Sequence, residues 1–132
     1  MKIKMDTKGL DGVAMEFLNL GKKAQRVADE MLRAGEKEAV SAWREGITSH
    51  GYVKTGAMLA SVKGTKPRSA NGGRLMDVYP QGSDGRVRNA EKAFILHYGS
   101  SRIKGSRWID EVNEAAEEPA SAAMEETFEK YL

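Results

Sequence analysis

The chain has 132 residues, 40% hydrophobic and 30% charged, enough for one globular domain over residues 1–132 with a real core, which excludes a disordered chain. It has no cysteine, which excludes a disulfide framework, a thiol nucleophile and a thiolate metal site. No apolar run approaches the roughly eighteen residues of a membrane span, and the amino terminus lacks an apolar signal core. We therefore expect a soluble intracellular protein without a membrane partner.

The net charge of +2 hides an uneven distribution. From Lys54 to Arg107 there are eleven basic residues and three acids, whereas from Trp108 to Leu132 there are eight acids and only Lys130. A basic middle and an acidic tail suit binding to nucleic acid or to an acidic partner. An acidic helix lying on a basic sheet within one chain explains the same asymmetry.

Two short segments open the chain. Residues 2–5 alternate lysine with apolar residues, which predicts an edge strand whose lysines discourage further pairing. Apolar residues at helical spacing over residues 9–20 predict a short helix that ends or bends at Gly21.

Residues 20–49 predict a long amphipathic helix. Its apolar residues recur at three- and four-residue steps, and no proline interrupts them: Leu20, Ala24, Val27, Ala28, Met31, Gly35, Ala39, Ala42 and Trp43. A helix over residues 22–49 is roughly 40 Å long, and a compact domain of this size is about 36 Å across. We expect the helix either to bend at Gly35 or Gly46 or to extend past its own domain towards a neighbour.

The middle of the chain predicts a small antiparallel sheet. Residues 61–65 predict the start of a strand, residues 67–73 a turn-rich loop with a hairpin turn at Asn71-Gly72, and residues 75–79 a returning strand that Pro80 stops. Residues 81–89 predict either a second loop or a loosely ordered arm, and the apolar run over residues 93–98 predicts a central strand ended by Gly99.

The acidic tail predicts a helix from about residue 107, with Ser106 as its N-cap and a kink or restart at Pro119. The expected fold class is α+β, with a long amino-terminal helix and a carboxy-terminal helix packed on a small, mainly antiparallel sheet with long basic loops.

Few residues suit catalysis. His50 and His97 are the only histidines, and neither has a second histidine at helical spacing, which argues against a zinc site. We interpret His97 as a packed or hydrogen-bonded residue. Ser100 and Ser101 lack a Gly-x-Ser-x-Gly elbow, and no glycine-rich loop opens a helix after a strand. We expect no catalytic residue, cofactor or metal, and therefore no enzyme.

Four arginines fall in the predicted loops with few aromatic residues among them: Arg68, Arg74, Arg86 and Arg88. This pattern favours non-specific contact with DNA phosphates over base recognition. A small α+β module that binds nucleic acid is therefore an alternative function, and loop arginines that only keep the surface soluble are the simpler interpretation.

Residues 52–62, Tyr-Val-Lys-Thr-Gly-Ala-Met-Leu-Ala-Ser-Val, resemble a Thr-Gly-x-Leu-x-x-Ser-Ile signature. That signature follows the long amino-terminal helix in a tail-component family of long-tailed DNA bacteriophages, also described as neck or tail-completion proteins. The matching residues are Tyr52, Thr55, Gly56, Leu59 and Ser61. Lys54 stands where Asp often precedes Thr-Gly, and no proline precedes the signature.

Residues 93–101, a basic gap and Trp108-Ile109 are similar to the second signature of that family. There a strand ends in an acid, an aromatic or aliphatic residue, Gly and Thr, and an aromatic residue opens the last helix. The matching residues are Tyr98, Gly99, Ser100 and Trp108, with His97 in place of the acid and Ser100 in place of Thr.

The resemblance implies a virion structural protein without catalytic activity, which acts at the head-tail junction as a ring of identical subunits. Its partners would be other copies of itself and other junction proteins, in the host bacterial cytoplasm during assembly and in the virion neck or tail afterwards. We further expect Thr55, Gly56 and Ser61 to set the turn that docks the first strand on the long helix. The four arginines would meet partners or face a DNA-filled lumen.

Overall fold

A computed structural model describes residues 3–6, 23–70 and 73–132 of the chain. It confirms the α+β fold, with two long helices and a small antiparallel sheet. In chain order the elements are β1 (Ile3–Asp6), α1 (Ala24–Ser49), α2 (Ala57–Ala60), β2 (Val62–Gly64), β3 (Arg68–Ala70), β4 (Gly73–Pro80), β5 (Ser83–Asp84), β6 (Val87–Arg88), α3 (Asn89–Tyr98) and α4 (Trp108–Glu129).

Helix α1 is the predicted long helix, and at 26 residues it is about 39 Å long. It runs without interruption through Gly35 and Gly46. The predicted apolar stripe is buried from Val27 to Trp43, and Leu32 and Ile47 join it. Leu20 and the predicted helix over residues 9–20 with its end at Gly21 lie outside the described residues.

Strand β4 is the centre of the sheet. Strand β1 pairs with one edge of β4, as predicted for an edge strand, while β2 and β3 both pair with the other edge. Gly64 faces Val78 and Arg68 faces Leu75, so three residues on one side oppose two on the other. This count defines a β-bulge over residues 65–67.

The bulge is held by Thr65 and Asp77. Thr65 N donates to Asp77 O at 2.8 Å, and Asp77 N donates to Thr65 Oγ1 at 3.1 Å. The predicted loop over residues 67–73 is therefore wrong in its first part, because Arg68–Ala70 is a strand. The predicted turn at Asn71-Gly72 lies outside the described residues.

Alternate residues of β4 face α1. Met76 and Val78 belong to the core, and Arg74 on the same face makes two hydrogen bonds with Asp29 of α1, at 2.8 and 3.0 Å. On the neighbouring strand, Gly64 N donates to Glu36 Oε2 of α1 at 2.7 Å. Backbone and side chain together dock the sheet on α1.

Two predictions for residues 81–98 are wrong. Residues 81–89 do not form a loose loop, because β5 and β6 pair there as a short hairpin. Residues 93–98 are the second half of helix α3, not a central strand. A short apolar run does not distinguish the two by itself, and here Ala93 and His97, four residues apart, form the buried face while Phe94, Ile95 and Tyr98 are exposed.

Helix α4 begins at Trp108 as predicted, but its N-cap is Arg107, with φ 58°, and not Ser106. The helix continues through the exposed Pro119 as one segment, so the predicted restart is wrong. It packs along α1 far more than on the sheet. The interpretation of an acidic helix lying on a basic sheet is therefore also wrong: the order of layers is sheet, α1, α4.

Candidate functional site

The two segments with family-like signatures meet in the structure. The rings of Tyr52 and Trp108 lie edge to face with centroids 5.4 Å apart, and Tyr52 Oη donates to Ser106 Oγ at 3.0 Å. On its other side the buried Trp108 lies edge to face with Trp43 of α1, also at 5.4 Å. The segment after α1 and the segment before α4 are thus joined through one aromatic cluster.

The segment before α4 closes the end of α3. Ser106 N and Ser106 Oγ donate to Leu96 O at 3.0 and 3.1 Å, and Arg107 N donates to His97 O at 3.1 Å. The indole Nε1 of Trp108 donates to Ala93 O at 3.2 Å. The donors to Leu96 and His97 satisfy carbonyls that the last turn of a helix leaves unpaired, and the indole bond adds a contact one turn earlier, so α3 ends directly against the start of α4.

Gly99 and Ser100 shape the connection. Gly99 has φ 89°, and a Cβ built on it would lie 2.6 Å from Gly105 N. Ser100 Oγ accepts hydrogen bonds from Arg102 N and Ile103 N, both at 3.2 Å. The signature residues Gly99 and Ser100 therefore determine the conformation of this loop. Tyr98, in contrast, is 53% exposed and its ring lies beneath the guanidinium of Arg107.

His97 is fully buried, and its Nδ1 accepts a hydrogen bond from Ile109 N at 3.1 Å in the first turn of α4. The expectation of a packed, hydrogen-bonded histidine is confirmed, although on a helix. Burial lowers the pKa of His97; Asp110, 3.8 Å from Nε2, acts in the opposite direction, and Arg107 adds to the lowering. A neutral ring with the proton on Nε2 is the form that accepts at Nδ1.

The first signature forms a helical turn. Thr55 Oγ1 accepts from Ala57 N at 3.2 Å, Gly56 has φ 76° at the N-cap of α2, and Ser61 Oγ donates to Met58 O at 2.8 Å. Leu59 packs against the core. These residues shape α2; the hydrogen bond that docks β2 on α1 comes instead from Gly64.

Asp84 fastens the β5–β6 hairpin to two helices. Its Oδ2 accepts from Lys92 Nζ of α3 at 2.7 Å and from Thr55 Oγ1 before α2 at 3.0 Å. The hydrogen bond from Lys92, followed by that from Thr55, lowers the pKa of Asp84.

The structure separates the four arginines. The side chain of Arg74 is only 16% exposed and pairs with Asp29, whose hydrogen bond raises the pKa of Arg74. Arg68 pairs with Asp77 at 3.0 Å. Arg86 and Arg88 are exposed and make no ion pair within the described ranges. Contact with partners therefore stays a prediction that suits Arg86 and Arg88 better than the other two.

An apolar groove of about 380 Å³ lies beside this cluster, between α2, α3 and the loop before α4. We define the apolar groove by Tyr52, Met58, Ile95, Leu96 and Ile103. Ile95 is 41% exposed and Ile103 45% exposed. The sequence interpretation missed this groove, because a central strand would have buried residues 93–98. Asn89, Glu91 and Lys92 ahead of the run were the available signal for a helix.

In contrast to the apolar groove, the exposed surface of α4 is negatively charged. Helix α4 contains eight exposed carboxylates and no basic residue, which we call the acidic face: Asp110, Glu111, Glu114, Glu117, Glu118, Glu125, Glu126 and Glu129. Glu111 accepts from His50 Nε2 at 2.9 Å, and Asp110 lies near His97. The other six make no ion pair with any described residue.

Within residues 3–6, 23–70 and 73–132, no group of three or more His, Asp or Glu side chains is arranged to hold a metal ion. No helix in the same ranges is both long and apolar enough to cross a membrane.

Comparisons with known proteins give no match to a family model, a curated protein or a solved structure. The resemblance to phage tail components therefore rests on the two signatures alone and stays a prediction.

Proposed function

We propose that this protein is a virion structural protein of a phage or prophage, a neck or tail-completion component that assembles at the head-tail junction as a ring. The observation that carries the proposal is the contact between Tyr52 and Trp108, which joins the two signature segments in space. The resemblance predicts an α+β domain with a long helix first and a helix last, and the fold agrees with that order.

The surface chemistry supports assembly with other proteins. Subunits of a ring contact each other through two different faces, and this chain presents an apolar groove and a separate acidic face. The polar groups inside the site hold the scaffold together: His97 caps α4, and Asp84 ties the hairpin to α2 and α3. We propose a non-catalytic role for these groups.

Deleting the gene from the phage or prophage that encodes the chain tests the proposal. Electron microscopy of the lysate should show filled heads and separate tails that are not joined, and the wild-type gene supplied in trans should restore joined particles. Joined, infectious particles at normal yield without the gene would contradict the proposal. Flanking portal, capsid and tail-tube genes would support it at little cost.

A matched pair of arginine variants refines this test. Arg86→Glu with Arg88→Glu should block particle assembly while the isolated subunit keeps its melting temperature, because both side chains are exposed and unpaired among the described residues. Arg74→Glu should instead lower the melting temperature, because it places two acids, Asp29 and the new Glu, side by side.

The second candidate function is a small nucleic-acid-binding module. Exposed Arg86 and Arg88 at the β5–β6 hairpin favour it. Contacts with phosphates predict that DNA affinity falls steeply as salt rises, since each neutralised phosphate releases counterions. Absent or salt-insensitive DNA binding by the isolated protein would eliminate this candidate and leave the first one unaffected.

A further inference from the structure

We infer that the apolar groove of one subunit receives the acidic face of α4 from a second copy of this chain. The inference rests on the proposed function and deepens it, because a ring needs one such head-to-tail contact for each subunit. Two features carry it: exposed apolar residues around the groove, and charges of opposite sign on the two surfaces that have no ion-pair partner in the described part of the chain.

The groove exposes apolar side chains of the kind that protein contacts usually bury. Ile95 and Ile103 are 41% and 45% exposed. Val53 follows the lining residue Tyr52 in the sequence and Tyr98 follows Ile95 by three residues on α3; they are 41% and 53% exposed. Ile95 and Ile103 line the cavity of about 380 Å³ together with Tyr52, Met58 and Leu96. A contiguous exposed apolar area of this kind marks a surface that another molecule covers.

The rim of the groove is basic. Lys54 lines the cavity, and Arg102 and Lys104 flank Ile103 in the sequence; all three are exposed. None of the three makes an ion pair with a described residue. Lys92 also lines the cavity but is held by Asp84. The rim therefore has free positive charge for an acidic partner.

The acidic face has the complementary charge on a rigid element. Glu114, Glu118 and Glu125 follow each other at four- and seven-residue steps, directly opposite the side of α4 that packs on α1. Ala115 and Ala122 are also exposed and let an apolar surface approach the helix closely. The face combines unpaired negative charge with small apolar positions.

The two surfaces belong to different elements, so the contact is heterologous: the groove of each subunit takes the helix of the next. Exposed ion pairs contribute little affinity one by one. The apolar contact at Ile95 and Ile103 therefore supplies most of the binding, while the charges select the partner and its orientation.

A reciprocal charge exchange tests this contact by sedimentation velocity at low salt. The groove variant is Lys54→Glu, Arg102→Glu and Lys104→Glu; the helix variant is Glu114→Lys, Glu118→Lys and Glu125→Lys. Wild type should self-associate with rising concentration, and each variant alone should bind itself at least about tenfold more weakly. An equal mixture of the two, and one chain with all six changes, should associate again because opposite charges face each other.

Two controls keep the result specific. Lys23→Glu at the N-cap of α1, with Lys37→Glu and Arg44→Glu on its exposed side, changes the net charge by the same amount as the groove variant and should leave association unchanged. Ile95→Asp, at an exposed position, should abolish association in every combination while leaving the thermal melt unchanged.

Three results would overturn the inference: wild type that stays monomeric at about 1 mM subunit, a mixture that fails to associate, or Ile95→Asp that associates normally. These results concern the contact alone. If gene deletion abolishes joined particles and any of these three results is also found, the proposed function remains supported. The contact between subunits would then involve other surfaces. Normal particles on gene deletion, together with the expected result of the charge exchange, would contradict the proposed function and support the contact.

Discussion

Tyr52 and Trp108 lie edge to face with ring centroids 5.4 Å apart, and the hydroxyl of Tyr52 reaches past the indole to Ser106 at 3.0 Å. One aromatic pair thus connects the end of α1, the end of α3 and the start of α4. This connection fixes the relative positions of α3 and α4, which carry part of the groove and the acidic face.

The hydrogen bond between Tyr52 and Ser106 should appear as an energetic coupling. Tyr52→Phe and Ser106→Ala, alone and together, should give a coupling of about 0.5 to 1 kcal/mol in the free energy of unfolding, measured by urea denaturation. The exposed Ser101→Ala serves as the control background, in which Tyr52→Phe should be additive. Full additivity with Ser106→Ala would show that the bond contributes nothing.

His97 should make the protein less stable in mild acid. Because burial lowers its pKa below the ordinary value of about 6.5, the unfolded chain binds a proton that the folded protein does not. Stability from the neutral ring is therefore present above about pH 6.5 and falls as the pH falls from there towards the folded pKa. Denaturation between pH 7.5 and about pH 5 measures this slope.

His97→Asn separates the titration from the hydrogen bond. The Asn Oδ1 replaces Nδ1 as acceptor for Ile109 N but does not titrate, so the slope between these pH values should flatten even if the overall stability is lower. An unchanged slope in His97→Asn would assign the pH dependence to other groups.

Gly46→Ala should destabilise the protein although alanine favours helices. Alanine gains about 1 kcal/mol of helix propensity over glycine, but its Cβ would lie 2.6 Å from Val112 Cγ2 on α4. We expect a net loss of about 1 to 3 kcal/mol in the free energy of unfolding by guanidinium denaturation. In a Val112→Ala background the overlap is removed, so Gly46→Ala should become neutral or stabilising there.

Gly99→Ala should cost more than Gly82→Ala. Both glycines have positive φ, 89° and 72°, but a Cβ at Gly82 meets nothing within 4 Å, whereas at Gly99 it meets the backbone of Gly105 and Ile103. We expect a loss of about 1 kcal/mol for Gly82→Ala and about 3 kcal/mol for Gly99→Ala by thermal denaturation. Equal losses would mean that the loop yields without cost.

The sequence by itself determined the long elements. Helix α1, strand β4 and helix α4 were predicted because each extends far enough for its apolar period to be read, and the α+β class follows from their order. The sequence also places Tyr52 in the first signature and Trp108 in the second, but it does not show that the two rings are in contact.

Only the tertiary structure decided the short elements and the surfaces. The run over residues 93–98 has the composition of a strand. However, only one side of it, with Ala93 and His97, is buried, and His97 contacts the start of α4. The run is therefore a helix that leaves Ile95 and Tyr98 exposed. Arg74 and Arg86 look alike in the sequence, but among the residues that the structure describes only Arg74 meets a carboxylate, that of Asp29 on α1. Local periodicity reports which residues share a face, whereas the partner of that face depends on contacts between residues far apart in the chain.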